Sequence, residues 1–297
     1  MNEKTGATAQ GILAVIFWGS LIAFSRSLTE TLGTVTAGAS IFLLAGASAC
    51  AYVIVRRRLS AVRQSSRRYI FGCGALFVVY ITCLYLAIGF ASDRAQVLVV
   101  GLVNYLWPSL TLALAVPILK RKARLTLIPG CILGFVGVLL ASAQSDLMRS
   151  ALSAGNWLPY LLALVAAVCW GLYSNLAYLW AKNAESGGVP LFILASGLVL
   201  AGLRPFFVES GQLTGPSLLE LVYVAIFPTI LAYVFWDTAM RKGKMILVTS
   251  LAYFIPLLST IISSIYLQVG VTWPLWIGCV LVIAGSFTCK QSIEETT

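Results

Sequence analysis

Residues 103–111 read VNYLWPSLT and place a proline in the middle of an apolar run of helix length. A proline inside a helix removes one backbone hydrogen bond and clashes with the preceding turn. With 3.6 residues per turn, Asn104, Tyr105 and Pro108 share one helix face. In a membrane, a freed carbonyl is tolerated where it faces protein or a water-filled cavity. The stretch indicates a bent membrane helix, and two interpretations stay open: a polar cavity beside the bend, or a kink between packed helices.

The same pattern recurs in the second half of the chain. At a shift of 148 residues, the aligned features are Tyr105 with Tyr253, Pro108 with Pro256, and GCILGFVG from Gly130 with GCVLVIAG from Gly278. The start of each half matches at a shift of 152 residues, with FWGS at Phe17 against CWGL at Cys169. Because tyrosine, proline and the glycine–cysteine pair share one register, we predict two homologous repeats, residues 1–150 and 151–297.

The composition around these repeats is that of a helical membrane protein. Of the 297 residues, 60% are hydrophobic and 10% are charged, whereas a soluble domain has about 45–50% and about 25%. The apolar runs reach about 20 residues, the length that a helix needs to cross a bilayer. The ten predicted spans are 9–28, 34–55, 69–91, 95–118, 125–144, 157–180, 189–208, 217–239, 245–268 and 274–290.

The net charge of +10 is explained by orientation rather than by nucleic-acid binding, because the basic residues cluster in short loops. If the N-terminus is cytoplasmic, 16 of the 20 basic residues lie inside and 4 outside. The outside set is Arg26, Arg94, Arg149 and Arg204. We therefore predict that both termini are cytoplasmic and that the protein contacts membrane lipid but no nucleic acid.

Five spans per repeat is an odd number, so the second repeat enters the membrane upside down. The loop between spans 4 and 5 carries four basic residues, and its counterpart between spans 9 and 10, QVGVTWP, carries none. Inverted repeats are typical of alternating-access transporters, whose substrate site lies near the midplane. The predicted fold class is an all-α polytopic membrane protein with ten transmembrane helices in two inverted five-helix repeats around a central cavity.

Deep aromatic and amide side chains are the candidates for lining this cavity, because a buried tyrosine hydroxyl needs a partner. Tryptophans near the ends of spans, such as Trp157, Trp180 and Trp273, fit the ordinary role of interfacial anchors. The predicted substrate-binding residues are Trp18, Tyr80, Tyr85, Asn104, Tyr105, Trp107, Trp170, Tyr173, Ser174, Tyr233 and Tyr253, and the predicted hinges are Pro108 and Pro256.

Charge is informative by its scarcity inside the spans. The chain has no histidine, and no acidic or basic residue lies in the middle of a predicted span. Asp237 comes nearest, and Arg241 lies four residues further on, so a structural ion pair competes with a proton carrier as its role. Coupling to protons or sodium usually relies on an intramembrane carboxylate or histidine. The pattern therefore predicts a net neutral substrate, downhill transport, and neither a metal nor a cofactor.

Small residues predict where helices approach closely. Gly130, Gly134 and Gly137 in span 5 and Gly278 and Gly285 in span 10 have the spacing of tight helix packing. We assign these spans to an interface between repeats or between subunits rather than to the substrate path. The oligomeric state stays open.

Ten spans in two inverted repeats, a Trp-Gly pair near the start of each repeat and a proline in spans 4 and 9 resemble the drug/metabolite transporter superfamily of the EamA type. The run VNYLWPSLT and the basic loop KRKARLTLIPG after it are similar to the bacterial aromatic amino acid exporters of that superfamily. The resemblance covers nearly the whole chain. It implies an inner-membrane exporter of aromatic and other neutral amino acids, with spans 5 and 10 set apart from the central cavity.

Two alternatives to an amino acid exporter remain at this point. One is an exporter of broader specificity for small metabolites or drugs, with proton coupling. The other is a membrane enzyme or receptor, which the sequence disfavours because it has no histidine, no paired buried carboxylates and no long cytoplasmic loop.

Overall fold

The computed structural model describes residues 3–56, 65–143, 156–181 and 188–293, and the regular elements in these ranges are helices. Short π-helical segments, Tyr69–Cys73 and Ala225–Leu231, precede α3 and α10. The α-helices are α1 (Glu3–Leu32), α2 (Thr34–Val55), α3 (Gly74–Phe90), α4 (Arg94–Asn104), α5 (Trp107–Leu119), α6 (Leu127–Ala143), α7 (Leu158–Trp180), α8 (Val189–Leu203), α9 (Gly215–Val224), α10 (Ala232–Lys242), α11 (Met245–Leu251), α12 (Ile255–Leu267) and α13 (Trp273–Gln291).

The chain is a multi-pass membrane protein. Within the described ranges, 9 helical segments are long and apolar enough to cross a bilayer, and they correspond to nine of the ten predicted spans. The remaining predicted span, 125–144, is α6, which has 17 residues and is therefore about 26 Å long. The predicted all-helical membrane fold is confirmed, and its fifth span is the short one.

The predicted span 95–118 is two helices instead of one bent helix. Between α4 and α5 the backbone tightens, because the N–H of Leu106 donates to the carbonyl of Val103 at 3.1 Å. Pro108 lies in the first turn of α5, where a missing N–H costs nothing within the helix. The second half repeats this design: α11 ends at Leu251, a 3₁₀ turn follows, and Pro256 lies in the first turn of α12. Each proline therefore starts a helix after a break.

Helices of the two halves pack against one another in a symmetric pattern. Two pairs join counterparts directly: α2 packs on α8, and α6 packs on α13. The other pairs occur twice, once in each sense. Helices α3 and α5 pack on α7, and their counterparts α10 and α12 pack on α1. Exchanging each helix with its counterpart five spans later leaves this pattern unchanged. The centre of the bundle is therefore built equally from both halves.

Each described chain end is bonded to the end of an even-numbered span or to the connection after it, the fourth for the C-terminal end and the eighth for the N-terminal end, which places both chain ends on the same side of the bundle. Lys242 Nζ donates to Glu3 Oε1 at 2.8 Å, and the N–H of Arg124 donates to the Ser292 carbonyl at 2.7 Å. At the opposite end, Arg94 joins the last turns of α1 and α12, because it bonds Glu30 and the Leu267 carbonyl. Several basic residues that predict orientation lie outside the described residues: Arg57, Arg58, Arg63, Arg149 and Lys182.

The predicted tight glycine packing is confirmed between α6 and α13. A Cβ atom added at Gly130 would lie 2.8 Å from the backbone nitrogen of Cys289, and one added at Gly285 would lie 2.5 Å from the Gly130 carbonyl. A Cβ at Gly137 would lie 2.7 Å from the Gly278 carbonyl. Only residues without side chains let these two backbones approach so closely.

Candidate functional site

Five aromatic rings from four helices meet at the centre of the bundle. The ring centroid of Trp18 in α1 lies 6.3 Å from Trp107, 5.5 Å from Trp170, 5.4 Å from Tyr233 and 5.2 Å from Trp236. Trp18 and Trp170 belong to the repeated Trp-Gly pairs, and their rings are perpendicular, at 90°. Edge-to-face contacts of this kind are favourable for aromatic pairs. The first and second halves therefore contribute to one continuous aromatic cluster.

A narrow cavity lies against this cluster, with room for about one water molecule. Polar groups reach it from α3 and from the break between α4 and α5, and the other lining groups are apolar or aromatic. The lining residues are Trp18, Leu21, Ile22, Tyr80, Asn104, Tyr105, Trp107, Trp170 and Ile255.

Several polar atoms beside the cavity are buried without a hydrogen-bond partner among the described residues. The Tyr80 hydroxyl lies near the Tyr233 hydroxyl and the Asn104 amide, but neither Asn104 Oδ1 nor the Tyr233 hydroxyl has a partner with hydrogen-bond geometry among the described residues. The indole N–H of Trp236 is likewise unpaired, whereas that of Trp18 donates to the Pro228 carbonyl at 3.1 Å. An unpaired buried group costs about 1–3 kcal/mol, so such atoms are unusual where nothing binds.

The helix break supplies further polar groups at the same place. Pro108 has no N–H to donate to the carbonyl of Asn104, which therefore lacks its usual helical partner. The C-terminal end of a helix carries partial negative charge, and the N-terminal end carries partial positive charge. At this break the end of α4 faces the start of α5. A small molecule with separated positive and negative groups matches this arrangement.

The described lining of the cavity contains no acidic or basic side chain. Asp237 is buried, with 5% of its surface exposed, but it is not among the lining residues. Its carboxylate accepts a hydrogen bond from the Tyr69 hydroxyl at 3.4 Å, and the side chain of Arg241 lies outside the described residues. No group of three metal-ligating side chains occurs in the part of the chain that the structure describes.

Six of the predicted site residues line the cavity together: Trp18, Tyr80, Asn104, Tyr105, Trp107 and Trp170. Tyr233 lies directly behind them, with its ring centroid 5.6 Å from that of Trp170. Tyr173 stacks on Trp170 at 5.0 Å. These two tyrosines therefore support the lining rather than form it.

The structure places three other predicted residues away from the lining. Tyr85 pairs its hydroxyl with that of Ser25 at 3.2 Å, and the Ser174 hydroxyl donates to the Trp170 carbonyl of its own helix at 2.9 Å. Tyr253 is buried with an unpaired hydroxyl and is not among the lining residues. Ser174 lies one turn after Trp170 on the same helix, and its hydroxyl is used by the backbone of that helix instead of by the cavity.

Sequence reasoning missed the apolar part of the lining and did not predict the contacts of Trp236, which it grouped with Tyr233 as a cavity candidate. Leu21 and Ile22 follow Trp18 by three and four residues, so helical periodicity from Trp18 was the available signal. Ile255 directly precedes Pro256. Trp236 shares a helix face with Tyr233, and only the structure shows that its ring contacts both Trp18 and Trp107 at 5.2 Å.

Comparison with known proteins agrees with this architecture. A family model described as the EamA-like transporter family matches residues 7–143 and again residues 157–289. The aromatic amino acid exporter YddG of Escherichia coli (strain K12) is 28% identical over 291 residues, covering 95% of this chain and 96% of that protein. The exporter of the same name from Ancylobacter novellus is 29% identical over 290 residues, covering 96% of each chain.

A solved crystal structure is similar over nearly the whole fold. It matches with a TM-score of 0.72 and 27% sequence identity, covering 96% of this chain and 97% of the other. The resemblance to bacterial aromatic amino acid exporters that the sequence indicated is confirmed by these comparisons. The matched family is one of transporters, and these relatives are named as exporters and not as enzymes.

Proposed function

Because this chain belongs to the EamA-like transporter family, we propose that it exports aromatic and other neutral amino acids across the inner membrane of a bacterial cell. The observation that carries the proposal is the central cavity, which is walled by tryptophan and tyrosine rings, lacks charged side chains among its described lining and holds an unpaired amide oxygen. The YddG exporters, to which the chain is similar over 95% or more of its length, are named for aromatic amino acids.

A zwitterionic amino acid fits the polar groups at the helix break. Its ammonium group would be held by Asn104 Oδ1 and by the negative end of α4, while its carboxylate would face the positive start of α5. The side chain of the substrate would lie among Trp18, Trp107 and Trp170. Each contact between aromatic rings contributes about 0.5–1.5 kcal/mol beyond the burial of apolar area. The site would therefore favour aromatic side chains while it also accepts smaller neutral ones.

Transport by alternating access accounts for the small size of the cavity. A space for about one water molecule is too small for any amino acid, so the cavity must widen towards one side of the membrane and then towards the other. Two inverted repeats, 1–150 and 151–297, would provide two equivalent gates. The symmetric packing of helices from the two halves supports this mechanism.

We further propose that both termini are cytoplasmic. The described ends of the chain lie on one side of the bundle, and that side also carries the basic loop after α5, with Lys120, Arg121, Lys122 and Arg124. The positive-inside rule assigns such a side to the cytoplasm.

The decisive experiment is efflux from liposomes that hold only this protein. Vesicles loaded with radiolabelled phenylalanine should release it faster than protein-free vesicles. Excess phenylalanine should compete, whereas phenethylamine, which lacks the carboxylate, and 3-phenylpropionate, which lacks the ammonium group, should compete poorly. Equal competition by all three would contradict recognition of the zwitterion and would indicate an exporter of broader specificity. No release of any amino acid would overturn the proposal.

A further inference from the structure

Two cysteines from opposite halves of the chain meet at the packed face of α6 and α13. The Sγ atoms of Cys131 and Cys289 lie 3.6 Å apart. They are van der Waals neighbours, and a disulfide bond of about 2.05 Å would require the two sulfurs to approach by only about 1.5 Å. Both are free cysteines, and Cys289 is completely buried whereas Cys131 is partly exposed.

The surroundings of the pair hold the two sulfurs in place. The absence of a side chain at Gly130 lets α6 lie against Cys289, because a Cβ atom there would be 2.8 Å from the Cys289 sulfur. One turn further along, the Thr126 and Ser292 hydroxyls pair at 2.8 Å, and the N–H of Arg124 donates to the Ser292 carbonyl at 2.7 Å. The ends of the two helices are therefore joined beside the thiols.

A short path of contacts leads from the thiol pair to the helix break at the candidate site. Ser286 lies one turn before Cys289 on the same helix, and its hydroxyl pairs with that of Ser109 at 2.8 Å. Ser109 directly follows Pro108, at the start of α5. When α5 moves at the break, it must therefore move against α13 or carry α13 with it.

We propose that Cys131 and Cys289 form a redox-controlled cross-link that slows transport by tying α6 to α13. The effect of the cross-link on transport rests on the proposed function, whereas its formation does not. A hydroperoxide is the class of oxidant that the step requires. The two S–H bonds and the O–O bond of hydrogen peroxide break, one S–S bond and two water molecules form, and two electrons pass from sulfur to oxygen.

The cytoplasm keeps such a bond transient. Both sulfurs lie near the side of the bundle that we propose faces the cytoplasm, where thiols are normally kept reduced and disulfides are regulatory rather than structural. The cross-link would therefore form under oxidative stress and would be removed by dithiol reductants.

The test begins with the bond itself, which needs no substrate. The purified full-length protein in liposomes is treated with hydrogen peroxide, digested and analysed by mass spectrometry. We expect one linked peptide pair containing Cys131 and Cys289, lost on treatment with dithiothreitol and absent from Cys131→Ser and Cys289→Ala. Cys50→Ser, which changes a half-buried cysteine elsewhere, should form the link normally. Failure of the wild-type protein to form this link would overturn the proposal, whatever the transport assay shows.

The second arm measures phenylalanine efflux from the same vesicles. Oxidation should remove most of the transport by wild type and by Cys50→Ser, and dithiothreitol should restore it. Under peroxide, Cys131→Ser and Cys289→Ala should transport as fast as they do in dithiothreitol. Full transport by cross-linked protein would overturn the regulatory role. If the reduced protein transports nothing, the proposed function fails, and the cross-link is then judged by mass spectrometry alone.

Discussion

At the scale of single residues, the candidate site combines aromatic surface with polar atoms that have no partner among the described residues. Replacing the unpaired oxygen of Asn104 with a methyl group of similar size would remove a buried group that costs about 1–3 kcal/mol. A buried polar atom without a partner calls for an explanation, and a substrate that pairs with it would provide one.

We therefore predict that Asn104→Leu raises the thermal unfolding temperature and reduces transport of phenylalanine. The stability gain has the magnitude of the removed desolvation cost, about 1–3 kcal/mol. Thermal unfolding in detergent measures the first effect, and efflux from liposomes measures the second, both with protein from one purified preparation. A variant that is both less stable and inactive would show that Asn104 holds the fold, because its amide then has a structural partner.

The aromatic lining leads to a prediction about specificity. Trp170 is 2% exposed and contacts rings from four other helices, whereas Trp273 is 80% exposed at a helix end. Trp170→Ala should slow phenylalanine transport more than alanine transport, by about two- to tenfold for each aromatic ring that no longer touches the substrate. Trp273→Ala is the matched control and should change neither rate. Equal reductions for both substrates in a folded Trp170→Ala protein would place the aromatic contact elsewhere.

The sequence predicted the deep lining residues better than their neighbours. Trp18, Asn104 and Trp170 could be assigned because aromatic rings and amides in the middle of a span lie too deep to act as interfacial anchors. Tyr85 could not, since its distance from the end of its span is equally compatible with the pairing to Ser25 that the structure contains. Depth along a helix follows from counting residues, whereas the partner across an interface follows only from three-dimensional packing.

At the scale of elements, the two prolines start helices after breaks instead of bending continuous ones. Pro108→Ala and Pro256→Ala each introduce an N–H that can donate to a carbonyl four residues earlier, so each favours continuation of the preceding helix through the break. If the repeats are inverted, these breaks face opposite sides of the membrane. We predict that both variants fold, both transport more slowly, and the two shift the balance between inward and outward opening in opposite directions.

Single cysteines placed on either side of the cavity and labelled with a membrane-impermeant reagent would measure the shift. A change of a few kcal/mol is enough to empty one of two states. The same direction of shift in both variants would mean that the breaks shape the cavity without acting as separate gates.

The start of helix α2 is held by a carboxylate from the connection after α8. Glu209 accepts hydrogen bonds from the backbone N–H groups of Val35 and Thr36 at 2.8 and 2.9 Å, at the start of α2, where Gly33 has a φ of 90°. Partial burial raises the pKa of Glu209, but the hydrogen bonds from Thr36 and Val35 and the charge of Arg204 outweigh it, so the pKa is lowered from 4.5. The ionised form of Glu209 therefore caps the N-terminus of α2.

The sign of the pH dependence follows from this lowered pKa. The stabilising effect of Glu209 is fully present above the ordinary carboxyl pKa and is lost as the pH falls through the lower value in the folded protein. Glu209→Gln should therefore unfold at a lower temperature than wild type at neutral pH, with a difference that narrows on acidification. Glu3→Gln, which removes an exposed ion pair with Lys242, should change little. A difference that stays constant down to acidic pH would show that charge is not the cause.

At the scale of the whole molecule, the sequence predicted the general plan of the fold. Register matches at 148 and 152 residues and the lengths of apolar runs predicted ten spans in two halves, because membrane thickness fixes helix length. Nine helical segments in the described ranges are long enough to span, and the remaining predicted span is the shorter α6. Proline predicted a bend within the fourth span, where the structure has a break between α4 and α5. Glycine spacing predicted close packing by the fifth and tenth spans, and the structure shows that α6 and α13 pack on each other. The order of the other helices around the centre could not be predicted from sequence, since apolar helix faces of similar size do not show which helix packs against which.

The distribution of charge over the whole bundle leads to the last prediction. A coupled transporter usually moves its ion through a site that a carboxylate or histidine provides, and the described lining of the cavity contains neither. The buried carboxylate of Asp237 joins α10 to the start of the third span through the Tyr69 hydroxyl, which also accepts the N–H of Gly188 at 3.1 Å. This position explains Asp237 as a contact between helix ends, and Asp237 is not among the residues that line the cavity.

We therefore predict downhill transport of zwitterions that does not require sodium and responds weakly to a pH gradient. Phenylalanine efflux from liposomes should be unchanged when potassium replaces sodium, and a pH-sensitive dye inside the vesicles should report no substrate-dependent proton flux. Asp237→Asn should lower thermal stability, because the tie to Tyr69 weakens, while efflux per folded molecule stays close to that of wild type. A proton flux that appears with substrate and disappears in Asp237→Asn would make this residue the proton carrier. The hydrogen bond between Tyr69 and Asp237 would then belong to only one of the two protonation states of Asp237.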